Sequence, residues 1–171
     1  MINDDGDIIR GLGLMVMQAA HLEGEIDELL FQLSALEPYP EKEQKLPISK
    51  KIIKAERILS KFQDDFSAKI IAELQICKEH FEWRNELVHG RIYSPDYHAN
   101  NLISGRQNSP DRPVTSSELY MLANNLEALR YRLQWPITLP GFVSNVLLNS
   151  SKAGSPPCED DDSLLNNLYT D

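Results

Sequence analysis

Apolar residues recur at the spacing of an α-helix along most of the chain up to Pro136. In the first such stretch, from Asp7 to about Leu36, successive apolar positions are three or four residues apart, which places them on one helical face. These positions are Ile8, Leu12, Met15, Ala19, Leu22, Ile26, Leu29 and Leu33. The stripe predicts a long helix that packs against other helices, either within a bundle or across a dimer.

Three more helices are predicted after a loop at residues 37–47, where proline ends the first helix. They run from Ile48 to Phe62 or Phe66, from Ala68 to His89, and from the capping box Thr115-Ser116-Ser117-Glu118 to Pro136. The second helix is expected to turn its isoleucines inward and its lysines outward. Ser67 or Asp65 is the predicted N-cap of the third helix. Its predicted inward positions are Ile70, Leu74, Cys77, Phe81, then Arg84 or Asn85, and Val88.

The segments between and after these helices carry little helical pattern. Residues 91–114 predict a long loop, or a short hairpin in which Ile92-Tyr93 pairs with Leu102-Ile103. Residues 150–171 are rich in Pro, Gly and Asp and predict a disordered, flexible acidic tail. Within the tail, Leu164–Tyr169 is either a short docking segment or loose chain. The sequence therefore predicts an all-α protein, with an antiparallel four-helix bundle at residues 1–149.

Charge is distributed unevenly along the 171 residues, whose formal net charge is −9. Residues 1–44 carry ten acidic against two basic residues, whereas residues 45–93 carry ten basic against seven acidic ones. The overall balance argues against extensive nucleic-acid binding, because phosphate affinity comes mainly from lysine and arginine. The one basic third of the chain nevertheless contains its most reactive stretch.

The compartment is predicted from cysteine usage and from the N-terminus. Only two cysteines occur, Cys77 on a helical stripe and Cys158 in the tail, so a disulfide is not expected and a reducing compartment fits. The residues at the N-terminus are acidic where a signal peptide is basic. The most apolar run, Leu12 to Ala20, is too short to cross a bilayer. We expect a cytoplasmic protein without a membrane segment.

The stretch from Phe81 to Arg91 concentrates an arginine, an amide, a carboxylate and a histidine at the end of the third predicted helix. A histidine in the last turn is favoured as the cation by the helix dipole, and arginine binds phosphate as a fixed fork. Together they suit RNA cleavage, in which Arg84 stabilises the phosphorane and His89 moves a proton. Because the reaction needs both an acid and a base, two such helix ends in a symmetric dimer would supply both.

The motif Arg84-Asn85-Glu86-Leu87-Val88-His89 at the end of the penultimate long helix resembles the HEPN superfamily. Ribonuclease members of that superfamily carry an arginine, four to six residues and then a histidine, often with a polar residue after the arginine. The resemblance implies a homodimer with a shared cleft that cuts RNA without a metal or another cofactor. Such proteins act as toxins or antiviral effectors, under an antitoxin or another regulatory protein.

The resemblance also implies roles for individual residues. Arg84 and His89 would be catalytic, and Asn85 would position the phosphate or the histidine. The candidates for holding the RNA backbone are Lys50, Lys51, Lys54 and Arg91, and Tyr93 is a candidate for stacking on a base or hydrogen-bonding.

Two alternatives use the same residues differently. A non-catalytic HEPN-like module would bind a protein or nucleotide partner, with Arg84 paired to a carboxylate such as Glu23, Glu25 or Glu86. The sequence Glu86-Leu87-Val88-His89 is also half of a di-iron bundle site, but the chain lacks the second Glu-x-x-His that such a site needs. No zinc-ligand spacing, phosphate-binding glycine loop or nucleophile elbow is present.

Overall fold

Helices make up most of the part of the chain described by the computed structural model, namely residues 7–62, 64–93, 101–103, 112–138 and Ser144. The helices are α1 (Asp7–Leu33), α2 (Glu41–Gln44), α3 (Ile48–Leu59), α4 (Asp65–His89) and α5 (Ser116–Thr138). Strands β1 (Arg91–Tyr93), β2 (Asn101–Ile103) and β3 (Arg112–Pro113) lie between α4 and α5. The prediction of a mostly helical protein is confirmed. Residues 150–171, predicted to be a tail, lie outside the described residues.

Helix α4 begins at Asp65, three residues before the predicted start, because a different residue caps it. The side chain of Asp64 accepts hydrogen bonds from the backbone N–H groups of Phe66 and Ser67, at 3.0 and 2.9 Å. Asp64 thereby satisfies two of the donors that a helix start leaves unpaired. The prediction that Ser67 or Asp65 is the N-cap is wrong, and Ser67 is instead the first buried residue of the helix.

Helix α5 begins at Ser116 as predicted, but only half of the capping box forms. Thr115 Oγ1 accepts the backbone N–H of Glu118 at 3.2 Å, while the Glu118 carboxylate binds residues of other elements. The helix also continues to Thr138, so the prediction that Pro136 ends it is wrong. Because proline lacks an N–H group, Pro136 cannot donate to the Arg132 carbonyl oxygen, and the helix loses one hydrogen bond two residues before its end.

The described residues between α4 and α5 include the short hairpin that was one of the two predictions for residues 91–114. Strands β1 and β2 are antiparallel, with Ile92 opposite Leu102 and Tyr93 opposite Asn101. Strand β3, which the sequence did not predict, pairs with the other edge of β2. The small sheet thus connects the end of α4 to the start of α5.

The core is formed by the apolar stripes of the four longer helices. Every predicted stripe position of α1 is buried except Leu12, which is half-buried, and the leucines of α5 at 119, 122, 126, 129 and 133 are fully buried. One predicted inward position is wrong, since Ile53 in the middle of α3 is 43% exposed. Val88 is half-buried against the core, and Leu87, which was not predicted to face inward, is fully buried. Periodicity therefore identified the core-facing sides of the helices but not every buried residue.

Helices α1 and α5 lie side by side and point in the same direction. A Cβ atom built on Gly11 would lie 3.0 Å from Leu119 Cβ, near the start of both helices. Further along both helices, Glu25 of α1 lies near Arg130 of α5. Burial raises the pKa of Glu25, and the positive charge of Arg130 opposes this rise. Residue numbers increase together on the two helices, so they are parallel neighbours, whereas an antiparallel bundle was predicted.

The chain connection after α1 explains this difference. Tyr39 Oη donates to Asp27 Oδ1 at 2.6 Å, so the connection runs back beside α1 instead of crossing its end. Lys51 of α3 then pairs with Glu23 and Asp27, and Lys61 after α3 lies within 3.4 Å of Glu37. Helix α3 consequently runs in the same direction as α1.

Helix α4 alone points the other way. Trp83 near its end bonds Glu118 at the start of α5, and Glu73 near its start lies 3.2 Å from Arg132 in the later half of α5. The end of α4 therefore lies at the same end of the molecule as the starts of α1 and α5. This end carries the predicted active-site motif.

Gly11 is predicted to be required for the close approach of α1 and α5. Gly11→Val should lower the free energy of unfolding by about 1–3 kcal/mol, because Leu119 Cβ cannot move aside without moving its helix. Gly13→Val is the matched control, since a Cβ there meets nothing within 4 Å, and it should change stability by less than about 0.5 kcal/mol. Urea unfolding monitored by circular dichroism measures both. Equal stability of the two variants would contradict the close packing.

Candidate active site

Arg84, Asn85 and His89 lie in the last two turns of α4, directly before the chain enters β1. The backbone N–H of Gly90 donates to the Glu86 carbonyl oxygen at 2.9 Å and closes the last turn. Gly90 has φ −78° and ψ 161°, an extended conformation open to any residue. The helix therefore ends at the predicted residue, but without the left-handed glycine that often follows a helix.

The guanidinium of Arg84 is half-buried and has no carboxylate partner among the described residues. Its Nη1 donates to Asn85 Oδ1 at 2.8 Å, and its Nε is buried without a hydrogen-bond acceptor. The amide of Asn85 is neutral, so no described residue forms an ion pair with Arg84. A buried donor without an acceptor is costly, and an anion such as a phosphate oxygen would satisfy it.

The position of Arg84 on the helix explains why no carboxylate reaches it. Its neighbours on the same face are the residues three and four positions away. These are His80, Phe81, Leu87 and Val88. Glu86 lies two residues on, about 200° around the axis, and binds Arg112. The pairing of Arg84 with Glu23, Glu25 or Glu86, on which the non-catalytic alternative was based, is not among the described ion pairs.

A polar cluster of Trp83, Glu86, Arg112 and Glu118, which we call the Arg112 clamp, joins α4, β3 and α5 beside the motif. Arg112 Nε donates to Glu86 at 2.8 Å and its Nη1 to Glu118 at 2.7 Å, while Trp83 Nε1 donates to Glu118 at 3.0 Å. Burial opposes the cation, but the two carboxylates hold the pKa of Arg112 above its ordinary value. Sequence reasoning missed this clamp, because its members are up to 35 residues apart.

His89 is exposed at the end of α4, on a different side of the helix from Arg84. Five residues separate them, which corresponds to about 140° around the axis and about 7.5 Å along it. Asn85 precedes His89 by one turn, but its side-chain oxygen Oδ1 accepts a hydrogen bond from Arg84. One chain therefore places the Arg84 guanidinium and the His89 imidazole at the same helix end, but not on one face of the helix.

Two of the lysines predicted to bind RNA are engaged in ion pairs within the chain. Lys51 is 3% exposed and pairs with Glu23 at 3.2 Å and Asp27 at 2.9 Å. Burial lowers the pKa of Lys51, but the two carboxylates outweigh this and raise it. Lys54 pairs with Glu43 and donates to the Pro38 carbonyl oxygen. The prediction that α3 turns its lysines outward is wrong for Lys51, and both cations are already neutralised.

Of the other predicted RNA-binding residues, Lys50 has a described side chain, whereas only the backbone of Arg91 and Tyr93 is described. Lys50 is half-buried at the start of α3. The start of α3 lies beside the later half of α1, because Lys51 pairs there with Glu23 and Asp27. The motif at the end of α4 lies beside the start of α1, so Lys50 is at the other end of that helix. Arg91 and Tyr93 belong to β1, which follows the motif directly, but their side chains lie outside the described residues.

The described residues contain neither a membrane-spanning helix nor a group of metal ligands. None of the described helices is both long and apolar enough to span a membrane. Within the described ranges, no group of three or more His, Cys, Asp or Glu side chains is arranged to hold a metal ion.

Comparison with known proteins finds no family model, no curated protein and no solved structure that matches this chain. What the chain does is therefore inferred from its own residues: the guanidinium of Arg84, the exposed imidazole of His89 and the surfaces around them.

Proposed function

We propose that this protein is a metal-independent endoribonuclease with a HEPN-like helical bundle, and that its active site is the end of α4. The observation that carries the proposal is Arg84, a half-buried cation with one buried unsatisfied donor, whose one partner among the described residues is a neutral amide. Such a group binds a phosphate without first giving up a carboxylate. The exposed His89 follows five residues later, at the end of the same helix.

The proposed chemistry is transesterification within RNA. The 2′-oxygen attacks the adjacent phosphorus, one histidine takes the 2′-hydroxyl proton, and the bond from phosphorus to the 5′-oxygen breaks as that oxygen receives a proton. The products are a 2′,3′-cyclic phosphate and a 5′-hydroxyl. Arg84 stabilises the extra negative charge on the phosphorus oxygens in the transition state. The acid and the base are His89 from each of two copies.

Exposed apolar side chains on α1 support the homodimer. Ile9 is 68% exposed, Val16 37% and Met17 47%, and all three lie in the half of α1 beside the end of α4. Apolar side chains clustered on one surface are typical of subunit contacts. A second copy packed on this part of α1 would bring its own α4 end toward the first.

The biological role that fits this chemistry is that of a cytoplasmic toxin or antiviral effector, restrained by an antitoxin or another regulatory protein. Uncontrolled RNA cleavage would harm the cell that makes it. The second candidate is a non-catalytic HEPN-like module that binds a protein or nucleotide. The net charge of −9 favours this candidate, as do the ion pairs of Lys51 and Lys54, because both limit the attraction of long RNA.

Incubation of the purified protein with total RNA in the presence of EDTA tests the proposal. We expect cleavage products that carry 2′,3′-cyclic phosphate and 5′-hydroxyl ends. Intact RNA after incubation at several protein concentrations, together with saturable binding of a mononucleotide or a protein, would favour the binding module instead.

Asn85→Asp is predicted to reduce cleavage by at least about tenfold, because it places a carboxylate 2.8 Å from the Arg84 guanidinium. The carboxylate would compensate the charge that binds phosphate. Asn85→Ser keeps an oxygen without adding charge and should retain more activity than the aspartate variant. Steady-state cleavage of a short RNA at two salt concentrations measures both variants. Equal activity of the two variants would show that a compensating charge beside Arg84 does not affect cleavage.

A further inference from the structure

A cavity of about 520 Å³ lies between the first half of α4 and the later half of α5. Phe66 and Ile70 form one wall, and Tyr131 and Leu133 form the other. The volume lies in the range of pockets that bind ligands or peptide side chains, and the walls are mainly apolar. Tyr131 is 54% exposed at the rim, and the guanidinium of Arg130 lies over its ring at 4.5 Å.

The charged residues that line this cavity are two bases, Lys69 and Arg132, and one acid, Glu73, so the lining is positive on balance. Lys69 is exposed and has no ion pair among the described residues. Arg132 lies at the opposite wall, where its Nη1 is 3.2 Å from Glu73 and its side chain is 51% exposed. An occupant that suits the site therefore combines apolar side chains for the walls with acidic groups for the rim.

The cavity lies far from the proposed active site. Residues 66–73 belong to the first turns of α4, and Arg84 follows Ile70 by 14 residues, or about 21 Å of helix. The chain after α5 begins at the cavity's end of the molecule, because Tyr131, Arg132 and Leu133 lie in the last turns of that helix. The 33 residues that follow Thr138 thus start next to this cavity.

We propose that the acidic, leucine-containing segment 159–169 of the same chain docks in this cavity. Its sequence is Glu-Asp-Asp-Asp-Ser-Leu-Leu-Asn-Asn-Leu-Tyr. Four consecutive acids match the positive rim, and Leu164, Leu165, Leu168 and Tyr169 would share one face of a helix, as in helix-in-groove recognition. The proposal is independent of RNA cleavage.

The chain length permits this docking. Residues 139–158 are 20 residues long, and at about 3.3 Å per residue they reach well beyond the dimensions of the domain. A linker of this length gives an effective concentration of about 1 mM, so a segment with a dissociation constant of about 0.1 mM would be bound about nine tenths of the time. Weak contacts therefore suffice.

A spin label on the native Cys158, which directly precedes the segment, tests the proposal in the full-length protein. The other cysteine, Cys77, is fully buried and burial raises the pKa of its thiol to about 12, so it stays protonated and unreactive at neutral pH. We expect the backbone amide NMR signals of residues 69–73 and 131–133 to lose at least about threefold more intensity than those of residues 84–89, because the docked state dominates.

Substitutions in the full-length chain separate docking from chance proximity. Leu165→Asp with Leu168→Asp, and separately Lys69→Glu, should restore the cavity signals, whereas Lys78→Glu, an exposed lysine on the same helix, should not. Attenuation that is absent, or that survives both changes, would overturn the proposal. A mixture of spin-labelled protein at natural isotope abundance with ¹⁵N-labelled Cys158→Ser protein, which carries no spin label, reports docking between copies. Attenuation of the cavity signals in this mixture as strong as in the spin-labelled ¹⁵N-protein would also overturn the proposal, because a second copy would then supply the segment.

Discussion

His89→Ala is expected to lower the rate of RNA cleavage by about 10²–10⁴-fold, because proton transfer by a positioned side chain contributes that much. In the proposed dimer each histidine serves one proton-transfer step, so the substitution removes both the acid and the base. His89 is exposed and makes no described hydrogen bond, and its loss should leave the helical content and thermal midpoint unchanged. Single-turnover cleavage of a short RNA in EDTA gives the rate.

His80→Ala is the matched control for this prediction. His80 lies on the same helix, but its Nδ1 is 2.9 Å from the Ile76 carbonyl oxygen and its ring lies 6.4 Å from that of Trp83. Removing it should leave cleavage within about threefold of wild type, as for a residue that takes no part in proton transfer. If His89→Ala and His80→Ala cleave equally well, His89 is not the proton carrier, and any RNA cleavage comes from another source.

Arg84→Ala is expected to lower cleavage by about 10²–10³-fold, the usual effect of removing one group that stabilises charge in a transition state. Arg84→Lys should recover little of this activity. Lysine is a point charge without the planar fork that bonds two phosphate oxygens, and it loses the geometry of the bond to Asn85. The measured quantities are the cleavage rate and the affinity for a non-cleavable 2′-deoxy oligonucleotide. The affinity should fall as well.

Arg132→Ala controls for a general loss of positive charge. Arg132 is paired with Glu73 at the other end of α4, so its removal should leave oligonucleotide affinity within about twofold of wild type, apart from the screened long-range effect of one charge. Because Arg84 has no described ion pair, Arg84→Ala should cost little stability. Undiminished oligonucleotide binding by Arg84→Ala would remove the basis for a phosphate site at the end of α4.

The sequence was most informative where a pattern repeats within one helix. The buried stripes of α1 and α5 follow from steps of three and four residues, since burial of one helix face needs no knowledge of the partner. Errors occurred where alternatives are close in energy. Asp64, Asp65 and Ser67 are all competent N-caps, and only the backbone conformation at Asp64 decided between them.

The candidate site was only partly accessible from sequence. The spacing of Arg84 and His89 is visible in the chain, and so is the glycine after them. The partner of Glu86 was not accessible, because Arg112, which binds it, lies 26 residues further on. The burial of Lys51 was equally hidden, because it needs the carboxylates of Glu23 and Asp27 from another helix.

By itself, the sequence determined the helical composition, the faces that enter the core and the place where reactive side chains concentrate. Each of these depends on residues a few positions apart, whose relative placement the geometry of the helix fixes. The tertiary structure alone decided the shared direction of α1, α3 and α5 and which cations are neutralised. It also decided that Glu86 is bound by Arg112. These features arise from contacts between distant segments, such as Tyr39 with Asp27 and Arg112 with Glu86, which no local pattern encodes.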